Sequence, residues 1–210
     1  MRVHVRNALA FLVIAVLVGC ATPNVGRDFT LKPDSKSGLA TGSITRTVSD
    51  AGEKGMTAYT AYAMLQFRAV GGGTSGKLES GSPSLGKLYS SELEGVEGHT
   101  FAVELPAGQY EFYTWSLNTG GLTVSPKQEM SIPFEVSSGK ATYIGDIGFD
   151  VIFGKALFGN AAFSDVSIKV KDSSIRDIPY LSKMFPKLNA DDIQKRIATS
   201  PTSSGSAKRE

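Results

Sequence analysis

From Thr57 to Val70 apolar and polar positions alternate, with Tyr59, Ala61, Ala63, Leu65, Phe67 and Ala69 on one face and Thr60, Tyr62, Met64, Gln66 and Arg68 on the other. A period of two predicts a strand with one buried face. The same period recurs in His99–Leu105, where Phe101, Val103 and Leu105 share a face. In Gln109–Leu117 it sets Tyr110 and Phe112 opposite Tyr113, Trp115 and Leu117. Met130–Val136, Ala141–Phe153 and Ala161–Val170 are further strand-like runs, rich in β-branched and aromatic residues. Alternation fades between Tyr143 and Phe153, which predicts a central strand buried on both faces, with Gly145 and Gly148 at bulges or close backbone approaches. Short strands separated by Gly, Pro and Ser predict a mainly β protein, an antiparallel β-sandwich.

Two joints and a change of period complete the pattern. Pro106-Ala107-Gly108 reads as a tight turn in which Gly takes a positive φ, and Ser137-Ser138-Gly139-Lys140 as a second. Near the C-terminus Tyr180, Leu181, Met184, Phe185 and Leu188 fall at helical spacing until Pro186 interrupts them. Asn189 is placed to cap a second helix over 190–197, with Asp191 and Asp192 in its first turn, Lys195 and Arg196 in its last, and Ile193 and Ile197 on one face. These helices are expected to cover an open edge or end of the sandwich.

The N-terminus has a different pattern. Arg2, His4 and Arg6 precede an apolar run from Ala8 to Val18 that stops at Gly19-Cys20. The run is too short for a bilayer-spanning helix, which needs about 20 residues, and has the length of an export-signal core. Leu17-Val18-Gly19-Cys20 resembles the lipobox of bacterial lipoproteins. That resemblance implies signal cleavage between Gly19 and Cys20, an S-diacylglyceryl group on the Cys20 thiol and acylation of the freed amine. Two or three acyl chains, at about 0.8 kcal/mol per buried CH₂, anchor a protein stably without spanning the membrane. By the enterobacterial sorting rule, Ala21 in place of Asp implies the periplasmic face of the outer membrane.

The domain organisation expected from these signals is a signal peptide over 1–19, a lipidated flexible tether over 20–40, a folded body over 41–197 and a disordered tail over 198–210. The tether reading rests on Pro23, Gly26, Pro33 and Gly38 without periodicity, and the tail reading on the Ser/Thr-rich stretch from Thr199. Within the body, Leu105-Pro-Ala-Gly-Gln-Tyr110, Phe134-Glu-Val136 and Gly139-Lys-Ala-Thr-Tyr143 resemble the Ig-like sandwiches of the transthyretin-like and carboxypeptidase-regulatory-like group over residues 99–145. That resemblance implies a hairpin at Pro106 and no activity.

Composition narrows the function. The 210 residues are 41% hydrophobic and 20% charged, and mean hydropathy is −0.05, which excludes a polytopic membrane protein and a wholly disordered chain. Of the 22 Lys and Arg, Arg2 and Arg6 belong to residues 1–19, so beyond the signal 20 basic residues face 20 acidic ones. That balance does not suit a nucleic-acid binder. One Cys closes no intramolecular disulfide, and with two His it makes a zinc site implausible.

No catalytic set converges. Gly71-Gly-Gly-Thr-Ser-Gly76-Lys77 has P-loop spacing, but Leu78 offers no hydroxyl to Mg²⁺ and Gly81 and Pro83 prevent the helix that would follow, so 71–76 reads as a flexible loop. His99, with Asp146, Asp150 or Asp165 as orienter, is the one base a serine hydrolase would have, and no G-x-S-x-G is present. Glu92, Glu94 and Glu97 form no recognisable dyad. Asp146 and Asp150 share a strand face that would suit a cation, and Tyr59, Tyr62, Tyr110, Tyr113 and Trp115 would suit a sugar or a core. The expectation is a non-enzymatic, lipid-anchored envelope module without catalytic, cofactor or metal residues, whose partners are the membrane and an envelope protein or glycan. A periplasmic hydrolase or glycan-processing enzyme is the alternative.

Overall fold

The alternating pattern corresponds, in the computed structural model, to eleven strands and one α-helix among the described residues, 24–50, 62–80, 93–118, 123–155, 161–201 and 207–209. One sheet holds β1 (Ser37–Asp50), β4 (Glu97–Pro106), β8 (Ala141–Lys155), β9 (Ala161–Lys171) and β10 (Ile193–Lys195). The other holds β2 (Tyr62–Ala69), β3 (Ser75–Glu79), β5 (Gly108–Asn118), β6 (Thr123–Pro126), β7 (Ile132–Val136) and β11 (Ala207–Arg209). For brevity they are sheet A and sheet B.

The inner faces of both sheets meet in one core. Sheet A contributes Ile44, Phe101, Val103, Leu105, Ile147 and Phe149, and sheet B contributes Leu65, Phe67, Phe112, Trp115, Ile132 and Phe134. Trp115 and Phe149 touch edge to face across it, with ring centroids 5.8 Å apart. Within sheet B, Phe112 stacks on Phe134 at 4.7 Å and Tyr110 on Phe134 at 5.5 Å, while Phe67 meets all three rings edge-on. Such pairs add about 0.5–1.5 kcal/mol each beyond the area they bury.

Strand pairing departs from the antiparallel expectation. β1 runs antiparallel to β4 but parallel to β8, and β10 is also parallel to β8. The reason lies in the joints. β4 and β5 do not pair with each other: Pro106-Ala107-Gly108 carries the chain from sheet A to sheet B, so the expected hairpin is a crossover. Gly108 has no positive φ. Tyr110 secures this corner, its hydroxyl donating to the Pro106 carbonyl at 2.8 Å. Ser137–Lys140 is a second crossover, from β7 to β8, and here Gly139 does take φ +63°.

The central strand matches expectation. Every residue of β8 from Ala141 to Phe149 is buried. A bulge opposite Thr41–Ser43 falls at Gly145, with φ +117°, where a Cβ would stand 2.8 Å from Val170 Cγ1. Gly148, by contrast, sits in regular register and marks no bulge.

A second bulge reverses an expectation in β5. Gln66 pairs with Thr114 and Phe67 with Phe112, leaving Tyr113 as the extra residue. Trp115 and Leu117 thereby turn to the same buried face as Tyr110 and Phe112, while Tyr113 alone faces outward under Arg68, 4.4 Å from its ring centroid.

The described residues of the segments expected as tether and tail, 24–40, 198–201 and 207–209, are parts of the fold. Val25, Phe29 and Leu31 pack on the outer face of sheet A, the Val25 N–H donates to the Ala102 carbonyl at 2.9 Å, and residues 37–40 already belong to β1. At the other end Ala198 is buried, its N–H donates to the Ile144 carbonyl, Ser200 binds the Val170 backbone, and Ala207–Arg209 joins sheet B. Apolar side chains two to six residues apart, Val25, Phe29 and Leu31, suffice to dock a segment that shows no period.

One helix forms instead of two. α1 (Ser174–Met184) begins before the apolar spacing starts and contains Pro179 in its second turn. Asn189 caps only a single 3₁₀ turn, Ala190–Asp192, accepting from the Asp191 N–H at 3.3 Å. The chain then straightens, because Ile193 buries into the layer under α1 while its backbone pairs with the free edge of β8 at Ala141. α1 covers the outer face of sheet A, with Leu181, Phe185 and Leu188 against Leu39, Ala102, Ala141 and Tyr143, and β10 covers an edge. No helix among the described residues is long and apolar enough to cross a membrane.

Candidate functional site

Beneath the N-terminal half of α1, sheet A carries polar residues where an apolar layer would be expected. β1 presents Thr41, Ser43 and Thr45 outward and β8 presents Tyr143 and Asp146, all buried. β1 achieves this with small hydroxyl residues at alternate positions, whose pattern lacks the apolar contrast that marks a strand. α1 brings down Arg176 and Asp177, the latter fully buried.

The groups satisfy one another. Ser43 Oγ and Tyr143 Oη both donate to Asp177 Oδ2 at 2.6 Å. Arg176 Nε donates to Asp177 Oδ1 at 2.7 Å, and its Nη2 to Asp146 Oδ2 and to Ser43 Oγ at 3.1 Å each. Thr45 Oγ1 donates to Asp146 Oδ1 at 2.6 Å and Ser173 Oγ to Asp146 Oδ2 at 3.1 Å. Two carboxylates thus share one guanidinium and four hydroxyl donors. Buried charges persist only when paired and hydrogen-bonded in this manner.

The electrostatics hold the protons in place. Burial above all, then the hydrogen bond to Asp177 and the charges of Asp177 and Asp146, push the Tyr143 hydroxyl far above its ordinary range, so it stays a donor. Burial works against the Arg176 charge, but Asp177 and Asp146 outweigh it and its pKa is raised. Chemically the cluster is a clamp: its acceptors are occupied and its hydroxyl donors are committed to carboxylates.

The residues singled out from the sequence are not assembled around it. His99 lies opposite Ile44, one position out of phase with Ser43, so alternation puts it on the other face of sheet A from the Ser43–Asp177 pair. Asp146 belongs to the clamp, whereas Asp150 pairs with Lys169 at 2.8 Å and Asp165 accepts its neighbour's Val166 N–H. The two aspartates expected to share a cation are therefore each committed to a basic side chain, and among the described residues no three His, Cys, Asp or Glu side chains gather as metal ligands. Glu97 pairs with Arg46, and Glu92 lies outside the described residues.

The glycine run after β2 is the turn of the β2–β3 hairpin, with positive φ at Gly71, Gly72 and Gly73. Ser75, Gly76 and Lys77 lie in β3 rather than in a loop, with Lys77 paired to Glu79. Of the aromatic set, Tyr110 and Trp115 are core residues, Tyr62 and Tyr113 face outward, and Tyr59 lies outside the described residues. Cys20 and Gly19 also lie outside them.

Sequence reasoning missed Ser43, Tyr143, Arg176 and Asp177 as a group. A signal was present: Asp177, Leu181, Phe185 and Leu188 form one helical stripe, and an acid at the head of a buried stripe requires partners.

The fold is that of a mainly β protein with two sheets, a shared core and one covering helix. No protein-family model and no curated protein matches the chain. Among solved structures, a leucine-rich repeat protein from Bacteroides thetaiotaomicron is similar over 55% of this chain and 14% of its own, at 16% identity and a TM-score of 0.32. Likeness of that degree assigns neither topology nor function.

Proposed function

We propose that this protein is a lipid-anchored cell-envelope component, attached through Cys20 and facing the periplasm from the outer membrane. Its two-sheet body, a variant of the Ig-like and transthyretin-like sandwiches with two parallel pairs, serves as a non-catalytic binding or structural-interaction module for an envelope protein or glycan. The observation that carries this reading is the apolar run Ala8–Val18 ending in Leu17-Val18-Gly19-Cys20.

Radiolabelled palmitate incorporation into the full-length chain and into Cys20→Ser tests the reading. Label and membrane association are expected for the natural sequence and lost in the variant. Label that persists in Cys20→Ser, or a natural chain without label, overturns it. Density separation of inner and outer membranes then locates the labelled protein.

A further inference from the structure

Residues 24–31 and α1 form one layer on the outer face of sheet A. Val25, Phe29 and Leu31 pack on the same apolar cluster as Leu181, Phe185 and Leu188, and Asn24 Oδ1 accepts from the Ala102 N–H in that cluster at 2.9 Å. Cys20 is four residues before Asn24, a span of at most about 14 Å even fully extended. The tether expected from the sequence would have allowed about 70 Å. A helix with its side chains is about 10 Å across, so an acyl chain on Cys20 reaches the bilayer only if this layer lies close to it.

The exposed surface of α1 and the residues after it suit such a position. Ile175 is 95% exposed, and Met184 is also exposed. With Pro179, Lys183, Pro186 and Lys187 they complete the exposed side chains between 174 and 188. That stretch exposes two lysines and no acid, because Asp177 is turned inward to Arg176. Over residues 24–36 and 172–192 the exposed bases Arg27, Lys32, Lys36, Lys183 and Lys187 are matched by the exposed acids Asp28, Asp34, Asp172, Asp191 and Asp192, so the cationic excess is confined to 174–188. Among the ion-paired side chains on sheet B's outer face, Glu79, Glu111 and Glu129 outnumber Arg68 and Lys77.

We infer that the outward face of α1, with Ile175 as its apolar contact and Lys183 and Lys187 as cationic ones, rests on the anionic phospholipid surface to which Cys20 is anchored. The inference rests on the lipid-anchor reading and deepens it. One set of acyl chains fixes position only, whereas apolar side chains and lysines at the headgroup level fix orientation, each lysine adding attraction to an anionic leaflet. The domain would lie with sheet A toward the lipid and the β2–β3 hairpin away from it.

The test uses the full chain, purified after processing in cells and reconstituted into vesicles containing phosphatidylglycerol. Ile175→Cys and, as a control on the β2–β3 hairpin, Val70→Cys are labelled with an environment-sensitive fluorophore; thioether-linked Cys20 does not react. Spin-labelled lipid is expected to quench the probe at 175 at least about twofold more than at 70, and Lys183→Glu/Lys187→Glu to bring the two close together. Circular dichroism confirms folding of each variant, and intact mass reports acylation of Cys20. Equal quenching at 175 and 70 in acylated protein overturns the orientation and leaves the anchor standing. Protection of 175 with dimeric sedimentation and no quenching overturns it in favour of self-association. Absence of acyl mass on Cys20 overturns both readings.

Discussion

Tyr143 Oη donates to Asp177 Oδ2 at 2.6 Å, joining the central strand of sheet A to the helix that covers it. The tyrosine lies 34 residues before the aspartate, and the bond closes only when β9 has folded back along β8 and delivered α1 to the sheet. Asp177 is fully buried, so this hydroxyl, Ser43 and Arg176 replace the water it has lost.

Tyr143→Phe keeps the ring and removes one donor from a buried carboxylate. A loss of about 1.5–3 kcal/mol is expected, the range for hydrogen bonds to charged groups. Asp177→Ala is expected to cost more, because it leaves Arg176 with Asp146 alone and frees two hydroxyls in a buried site. Urea unfolding checks both, and equal midpoints for Tyr143→Phe and the natural sequence would show that the bond does not hold the helix.

Gly145 and Gly148 look alike in the sequence but should respond differently. Gly145→Ala places a Cβ at φ +117° and 2.8 Å from Val170 Cγ1, for an expected loss of about 1–3 kcal/mol. Gly148→Ala meets nothing closer than Thr45 Oγ1 at 3.5 Å, an ordinary contact, and should be close to neutral. Thermal denaturation of the two variants side by side decides it.

The two tyrosines of β5, Tyr110 before the bulge and Tyr113 at it, differ in the same way. Tyr110→Phe removes the bond to the Pro106 carbonyl at the sheet crossover and should cost about 1 kcal/mol. Tyr113→Phe loses a bond to Gln66 on the outer face but keeps its ring under Arg68, and about 0.5 kcal/mol or less is expected. Chemical unfolding midpoints would falsify the corner assignment by reversing that order.

Acid should loosen the start of α1. The hydrogen bond from Lys195, then those from the Ser174 side chain and N–H, hold the Asp172 carboxyl down to about 2. Because this value lies below the ordinary range near about 3.9, its contribution is complete above that range and is lost as pH falls through about 2. Asp172 is 44% exposed, so solvent screens the effect and it should be small. The difference in melting temperature between the natural sequence and Asp172→Asn should shrink from pH 5 towards pH 2, and a difference that grows on acidification contradicts the assignment.

Part of the candidate site could be read from the chain. Asp146 stands in the sequence as a candidate orienter of a base or cation ligand, and the run around it as a strand buried on both faces. Its partners were not legible, because β1 sets Thr41, Ser43 and Thr45 against Gly42, Ile44 and Arg46 and offers little amphipathic contrast, and because Arg176-Asp177 precedes the stripe from which a helix was expected. The docked ends escaped notice for a related reason. Val25, Phe29 and Leu31 gain burial from a sheet face made by distant strands, so local composition carries no trace of it.

By itself the sequence determined the six runs that become β2, β4, β5, β7, β8 and β9, and that β8 lies at the centre, since hydrophobic spacing is a local property. Tertiary structure decided which sheet each strand joins, the parallel pairing of β1 with β8, and the straightening of 193–195 into a strand. It also decided, through single-residue bulges at Tyr113 and Gly145, which face each later side chain reaches. These outcomes depend on backbone hydrogen bonds between segments far apart in the chain, and a period of two is silent about which partner a strand will find and about one extra residue in its register.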